Sequence, residues 1–205
     1  SGTGPKAGGP LYLERFTTEK RDLMFRQNRP DNPTPKISGK ELMDAIEGLK
    51  SEGWGTFNDR IAVLEELFGN QMIEPIKVSA ATHHAQITLP GPTGELNQYR
   101  LVPKGLVLCL GSDMNILLMQ VLQALAMGNH VVVVGAEEIV SKIGSLERAG
   151  IPMTALNGEL EYEALVEAPI DLVAFAGNEK NCFSKLRKAV ANRPGSIVQV
   201  IGEKI

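Results

Sequence analysis

Four consecutive valines at positions 131–134 constrain the fold more than any other feature of the sequence. A strand that is apolar at every position must be buried on both faces, which requires helices above and below a mostly parallel sheet. Similar apolar runs occur at 106–110 and, after Asp171, at 172–175, and the intervening segments have the apolar spacing of helices. We therefore predict a doubly wound α/β domain built on a Rossmann-like sheet.

The alternation of elements continues along the second half of the chain. The pattern predicts strands at 106–110, 130–134, 152–156, 170–175 and 196–201. It predicts helices at 116–127, 137–149, 160–167 and 179–191. Before them, the turn-rich sequence Pro90–Gly94 separates two predicted strands within 83–102, which indicates an extended β-hairpin arm.

Composition divides the chain into three parts, which comprise residues 1–37, 38–80 and 81–205. The first part contains repeated prolines, which favour an extended linker. The second predicts a small helical segment of two helices, the first capped by Ser38 and the second ending at Gly69. The third carries the arm and the Rossmann-like domain.

Charge and cysteine content exclude several classes of protein. The net charge of −3 over 205 residues gives no electrostatic surface for nucleic acid. We expect no transmembrane segment, since no stretch approaches the ~20 apolar residues that cross a bilayer. Two cysteines do not make a secreted disulfide framework, so a cytoplasmic protein is expected. The abrupt start at Ser1 indicates a piece of a longer polypeptide.

The turn after the first strand of the predicted sheet, 111–115, is where a dinucleotide would bind. Backbone amides at a helix start meet a pyrophosphate there, usually through the fingerprint G-x-G-x-x-G. This turn has the single glycine Gly111, and Asp113 places a negative charge where phosphate would bind. An ordinary strand-to-helix turn with a Ser or Asp cap is the favoured interpretation.

Other candidate groups favour structural roles. His83 and His84 are adjacent on a predicted strand and so point to opposite faces, which argues against a shared zinc ion. Cys109 lies in a predicted buried strand, and Cys182 has no histidine close in sequence to act as a base. We expect both thiols to be inert and no metal site. Asp113, Glu137 and Glu138 suit the starts of helices.

The opening run from Ser1 to Pro10 has two interpretations. Its density of glycine lets successive amides converge on an anion as a nest, such as a substrate carboxylate. A flexible chain end explains the same composition.

Two motifs resemble the bifunctional proline utilization A family. The run Ser1-Gly-Thr-Gly-Pro-Lys-Ala-Gly-Gly-Pro-Leu-Tyr-Leu13 resembles the end of that family's glutamate-semialdehyde dehydrogenase domain. Residues 89–95, followed by Asn97, Tyr99 and Arg100, resemble a second hallmark, found ahead of the extra C-terminal domain of the longer members. The resemblance implies that the first run, through Ser1, Gly2, Thr3 and Gly4, anchors the carboxylate of the aldehyde substrate.

From Val102 onward, the sequence is similar to the cofactor-binding half of aldehyde dehydrogenases, with departures at the cofactor site. The resemblance matches this site to Gly111, Ser112, Asn115, Val134, Gly177 and Asn178. The family's Pro-Trp-Asn turn is absent from 111–115, and Val134 replaces the lysine that contacts the adenosine ribose. Phe175-Ala-Gly-Asn178 stands where the family has Phe-Thr-Gly-Ser. We therefore expect no cofactor in this chain.

The resemblance implies a parent enzyme that uses FAD to oxidise proline and NAD to oxidise glutamate semialdehyde, with substrate channelling between the two sites. It implies that this chain is a non-catalytic C-terminal domain of the aldehyde dehydrogenase type, whose partner is the rest of the same polypeptide. The domain would pack on the semialdehyde dehydrogenase domain, with the arm as the docking element, and cover the passage between sites. A homodimer and a parent peripheral at the inner membrane remain open. The alternative is a sensor module that retains NAD(P) affinity.

Overall fold

The computed structural model describes residues 34–49, 54–81, 86–177 and 180–202. In chain order, the strands are β1 (Lys36–Ile37), β2 (Ile87–Leu89), β3 (Asn97–Tyr99), β4 (Leu106–Gly111), β5 (His130–Gly135), β6 (Met153–Asn157), β7 (Glu159–Leu160), β8 (Leu172–Ala176) and β9 (Gln199–Gly202). The helices are α1 (Gly39–Glu47), α2 (Phe57–Phe68), α3 (Asn70–Ala81), α4 (Met114–Ala126), α5 (Glu137–Arg148) and α6 (Lys180–Ala191), with a 3₁₀ helix at Tyr162–Leu165.

Five parallel strands form the central sheet in the order β6-β5-β4-β8-β9. Within this sheet, the first strand in chain order is the central strand β4. The chain continues outward through β5 to β6, and then returns to β8 on the other side of β4. The reversal of direction between β4 and β8 is the topological switch point of a doubly wound fold. The predicted fold class is confirmed, and the five predicted strands lie within a few residues of their expected positions.

The valine run is buried because helices cover both faces of the sheet. Val131 and Val133 pack with α4 and α5 on one face, in a cluster that also contains Cys109 of β4. Val132 and Val134 pack on the other face with residues of α1 and α6. Full burial of each such side chain contributes about 1.5 to 3 kcal/mol, so the run stabilises both layers.

The helices before the sheet begin where the sequence provides caps. The Ser38 hydroxyl accepts a hydrogen bond from the Glu41 amide, and the Glu41 carboxylate accepts one from the Ser38 amide at 2.9 Å. Thr56 and Asp59 make the same reciprocal pair at the start of α2. The predicted cap at Ser38 and the predicted helix end at Gly69 are confirmed.

Helix α3 was not predicted. It contains Pro75, which lacks an amide donor and disfavours a helix interior. Burial of Ile73 and Ile76 against the core outweighs that local preference.

The helix predicted at 160–167 is wrong. Strand β7 occupies Glu159–Leu160 and pairs in parallel with β1, and a single 3₁₀ turn follows at Tyr162–Leu165. The Glu159 amide donates to the Pro35 carbonyl at 2.8 Å, and the Glu161 amide donates to the Ile37 carbonyl at 3.1 Å. Pairing with a segment 123 positions away in sequence overrides the local helical spacing.

The predicted hairpin is confirmed. Strands β2 and β3 pair in antiparallel register, with Ile87 opposite Tyr99 and Leu89 opposite Asn97. Gly94 in the turn has a φ of 92°, a left-handed conformation that favours glycine. Residues 86–103, here called the arm, lead from this hairpin to the start of β4. Within the described ranges, the helices are all too short or too polar to cross a bilayer.

Candidate functional site

The carboxyl ends of β4, β5 and β8 form the edge of the sheet where an open α/β fold binds its ligand. We call residues 111–115, 134–135 and 176–177 the carboxyl edge. At its centre, Gly111 has a φ of 146°, and a Cβ atom at this position would overlap the Ala176 carbonyl group. The glycine therefore permits a close approach of two backbone segments of the same domain.

Four backbone amides of this turn and the start of α4 have acceptors within the protein. The Ser112 and Asp113 amides both donate to the Ala176 carbonyl oxygen, at 2.9 and 3.2 Å. The Asp113 carboxylate accepts hydrogen bonds from the Asn115 amide at 3.1 Å and the Ile116 amide at 3.0 Å. Asp113 is the N-cap of α4, which confirms the predicted cap. The carboxylate occupies the helix start that would otherwise face an anion.

Val134 lies in the hydrophobic core and not in a polar site. It is 2% exposed and pairs in register with Leu110 of β4 and Leu156 of β6. Ile37 of β1 and Leu160 of β7 belong to the same buried cluster. The position that the resemblance matches to a ribose-binding lysine is therefore filled by an aliphatic side chain.

The remaining predicted site residues lie in different places. Gly177 is half-buried, and a Cβ atom there would lie 3.2 Å from the Phe175 ring and 3.5 Å from the Ser112 hydroxyl. The structure therefore brings together Gly111, Ser112 and Gly177, with Asn115 on the first turn of α4. Asn178, His83, His84 and the anchor residues Ser1, Gly2, Thr3 and Gly4 lie outside the described residues.

Cys109 is unsuited to nucleophilic chemistry. Its side chain is fully buried in the central strand, and burial raises the pKa of the thiol to about 12. The thiolate is the reactive form, so this thiol stays protonated at neutral pH. The prediction that it is inert is supported. Among the described residues, no group of three or more His, Cys, Asp and Glu side chains is placed to hold a metal ion.

Two buried polar residues near the sheet were missed by sequence reasoning. The Asn129 side-chain oxygen accepts hydrogen bonds from the Lys104 amide at 2.7 Å and the Gly105 amide at 3.2 Å, and its nitrogen donates to the Ala124 carbonyl at 3.0 Å. Gln120 of α4 donates to the Phe175 carbonyl at 3.2 Å. For Gln120, a polar residue within an otherwise apolar run was the available signal, whereas Asn129 lies between Gly128 and His130 and gives no such signal. Both residues fix backbone positions around β4.

The arm exposes apolar side chains. Leu96 and Val102 are 72% and 62% exposed, and Ile87, Leu89 and Leu101 are also exposed. At the base of the arm lies an open groove of about 360 Å³, lined by polar and apolar residues together: Thr56, Phe57, Asn58, Arg60, Leu101, Pro103 and Met127.

Comparisons with known proteins agree with this fold. No protein-family model matches the sequence. The bifunctional protein PutA of Salmonella typhimurium is 32% identical over 209 residues, which cover 98% of this chain, and that of Escherichia coli is 30% identical over 212 residues. The chain spans only 14% of the length of either relative.

Solved structures resemble the fold at low sequence identity. A structure of proline utilization A (PutA) with proline bound in remote sites has a TM-score of 0.56 and 23% identity, over 80% of this chain and 19% of that one. An aldehyde dehydrogenase from Brucella melitensis biovar abortus 2308 has a TM-score of 0.58 and 18% identity, over 83% of this chain and 44% of that one. This chain is therefore similar over nearly its whole length to one region of the bifunctional PutA proteins, and its fold is that of the aldehyde dehydrogenases.

Proposed function

We propose that this chain is a non-catalytic domain of a bifunctional proline-catabolic enzyme that converts proline to glutamate. It packs on the semialdehyde dehydrogenase domain of the same polypeptide and covers the passage through which the intermediate moves. FAD and NAD act in the other domains of that enzyme. Similarity to PutA over 98% of the chain supports the assignment to such a polypeptide.

The observation that carries the non-catalytic role is the hydrogen bonding at the carboxyl edge. A dinucleotide needs donors for its pyrophosphate, and the amides of Ser112 and Asp113 donate to Ala176. The Asp113 carboxylate accepts hydrogen bonds from the Asn115 and Ile116 amides and would repel a phosphate. A hydrogen bond to a charged group is worth about 1.5 to 3 kcal/mol. Because these amides already donate within the domain, they cannot supply such bonds to a pyrophosphate. These residues therefore do not fit the dinucleotide that the fold family binds.

The buried position of Val134 supports the same conclusion. A ribose hydroxyl needs a polar partner, and position 134 lies under aliphatic residues of β1 and β7. A lysine at position 134 would place a charge in the hydrophobic core, so the packing around this position disfavours the residue that would bind the ribose.

A covering role has a physical rationale in a two-step enzyme. A reactive intermediate that passes between sites must be kept from water and from escape routes, and a packed domain supplies that barrier. The exposed apolar arm gives the domain a surface suited to packing on a neighbour. The anchor at Ser1, Gly2, Thr3 and Gly4 stays a prediction, as does a homodimer.

Calorimetric titration of this chain with NAD and NADP tests the non-catalytic role. We expect dissociation constants weaker than about 1 mM, equivalent to less than ~4 kcal/mol of binding free energy. An NAD-dependent aldehyde dehydrogenase measured in the same way serves as the positive control. Micromolar binding would contradict the proposal and favour the nucleotide-binding sensor.

Deletion of residues 34–205, which share one packed core with the sheet, from the full-length enzyme tests the covering role. We expect slower coupled conversion of proline to glutamate, with a lag before glutamate forms, while proline oxidation is unchanged. Unchanged proline oxidation reports that the proline-oxidising domain of the truncated enzyme still folds. Coupled kinetics without a lag or loss of rate would remove the basis of the covering role.

A further inference from the structure

The amino ends of the parallel strands carry a set of polar contacts at the point where the arm joins the sheet. We call this set the amino edge, comprising residues 104–106, 129–130 and 171. The amides of Lys104 and Gly105 donate to the Asn129 side-chain oxygen at 2.7 and 3.2 Å. The Leu106 amide donates to the Asp171 carboxylate at 2.8 Å. Three consecutive amides are therefore held by two side chains from other parts of the sheet.

Backbone hydrogen bonds hold the same segment from both sides. The His130 amide donates to the Gly105 carbonyl at 3.0 Å, and the Asp171 amide donates to the Leu106 carbonyl at 2.9 Å. Gly105 has a φ of 119°, and a Cβ atom at this position would overlap the Asp171 carboxylate. The segment thus lies closer to Asp171 than a residue with a side chain would allow.

The two accepting side chains are themselves held in place. Asn129 is 7% exposed, and its side-chain nitrogen donates to the Ala124 carbonyl at 3.0 Å. Arg193 donates to the Ala168 carbonyl at 2.6 Å, in the loop before β8, and its positive charge interacts with the Asp171 carboxylate. Because both acceptors are anchored, they hold the amides of 104–106 in one arrangement.

The last residue of the arm, Pro103, packs on the turn that carries Asn129. Its ring lies so close to Gly128 that a Cβ atom at that glycine would be 3.2 Å from the ring. Proline also fixes its own φ near about −65°, which limits rotation of the chain as it enters position 104. The arm therefore meets the sheet through a proline packed on one turn and three amides bonded to two side chains.

We propose that the amino edge is a rigid junction, which fixes the direction in which the arm leaves the sheet. Rotation of the chain at 104–106 would break the three amide bonds and leave the buried Asn129 oxygen without a donor, which is unfavourable. A projecting segment with one direction is preorganised, so it loses less conformational entropy on binding than a segment that samples many directions. The inference concerns the arm's direction alone and does not depend on the proposed function.

Distance measurement by pulsed electron paramagnetic resonance in this chain tests the junction. Spin labels are attached through Val102→Cys, which is 62% exposed at the end of the arm, and Lys142→Cys, which is exposed on α5. Cys182→Ser removes the half-buried thiol from every sample, and the buried Cys109 stays unlabelled. We expect a narrow distance distribution in this parent variant and a distribution about twofold wider in Asn129→Ala.

Gln120→Ala is the matched control. Gln120 is 6% exposed, as buried as Asn129, but it donates to the Phe175 carbonyl near the carboxyl edge. We expect this variant to lower the Tm without widening the distance distribution. Asp171→Ala is expected to widen the distribution, whereas Asp171→Asn, which keeps an acceptor oxygen for the Leu106 amide, is expected to leave it narrow.

A wide distribution in the parent variant would overturn the inference. Equal widths in Asn129→Ala, Asp171→Ala and Gln120→Ala would do the same, because the polar contacts would then be only structural. If Asn129→Ala shows no cooperative thermal transition, the comparison of Asp171→Ala with Asp171→Asn decides the question, since Asp171 is exposed. Micromolar binding of NAD would refute the non-catalytic role and leave the junction untouched.

Discussion

The carboxyl edge of the sheet and the arm differ in where their chemical groups find partners. At the carboxyl edge, backbone amides that could serve a ligand donate to Ala176 and Asp113 of the same domain. On the arm, apolar side chains that could form a core remain exposed to water. Among the described residues, the domain thus satisfies four amides at its carboxyl edge internally and leaves the apolar side chains of its arm exposed, a combination that agrees with the proposed role.

Substitution of Gly111 by alanine tests the close contact between residue 111 and the Ala176 carbonyl at the carboxyl edge. Of the substitutions proposed, it has the largest expected effect on the free energy of unfolding. A Cβ atom would overlap the Ala176 carbonyl, and the φ of 146° is strained for any other residue. We expect a loss of about 3 to 5 kcal/mol in the free energy of unfolding, measured by chemical denaturation.

Gly150→Ala is the matched control for this variant. Gly150 has a φ of 74°, but a Cβ atom there would meet no other atom within 4 Å, so only backbone strain is added. We expect it to cost about 1 kcal/mol. Equal effects at the two glycines would mean that the contact with Ala176 does not hold the turn closed.

Substitution of Val134 by lysine restores the residue type that the resemblance expects at a cofactor site. Because position 134 is 2% exposed, we expect a loss of about 2 to 4 kcal/mol of stability and no gain in NAD affinity. Denaturation and titration calorimetry measure the two effects. Val134→Met is the control for an increase in side-chain size without charge. A stable lysine variant that binds NAD would contradict the interpretation of the carboxyl edge as a site without a cofactor.

The cap of α1 gives a smaller effect that depends on pH. Hydrogen bonds from the Ser38 amide and hydroxyl lower the pKa of Glu41 below its ordinary 4.5. A carboxylate with a lowered pKa stabilises the fold above the unfolded pKa, and that stabilisation is lost as the pH falls through the folded value. We expect the stability difference between Glu41→Gln and the unsubstituted chain to shrink below pH ~4.5.

Thermal unfolding across pH ~3 to ~7 measures this difference. Ser38→Ala, which removes the hydroxyl cap, is expected to cost about 1 kcal/mol at neutral pH. A difference between Glu41→Gln and the unsubstituted chain that did not vary with pH would contradict the role of the carboxylate in the cap.

Substitution of Leu96 by serine has the smallest expected effect on this chain. The side chain is 72% exposed, so its removal is expected to change the free energy of unfolding by less than about 0.5 kcal/mol. Denaturation of the 205-residue chain measures this. A loss above about 1.4 kcal/mol, roughly tenfold in the unfolding equilibrium, would mean that the arm belongs to the domain core and would erase the contrast with the carboxyl edge.

Local patterns predicted most of the fold because buried strands appear as apolar runs in the sequence and helix starts appear as capping residues. The valine run indicated the parallel sheet, and Ser38 and Asp113 marked helix starts that the structure places there. The β1 and β7 pair could not be predicted, since each strand has two residues and their pairing depends on distant segments. Helix α3 was hidden by Pro75, whose local preference is overridden by tertiary packing.

The residues of the candidate site were assigned from the sequence and stay predictions, and their geometry could not be derived from it. One glycine and an aspartate at 111–115 indicated a poor phosphate site. That the Ala176 carbonyl accepts hydrogen bonds from the turn depends on the register of β4 against β8, which no local pattern encodes. The anchor at Ser1 to Gly4 and the role of Asn178 remain predictions from resemblance.

The buried thiol of Cys109 gives the domain its own reporter of opening. A protonated sulfur packed between β4 and the helices that cover it cannot react with an alkylating reagent until that layer opens. Its labelling rate therefore measures how often this layer of the core opens, and docking of the domain on a larger polypeptide should slow that rate if docking stabilises the layer.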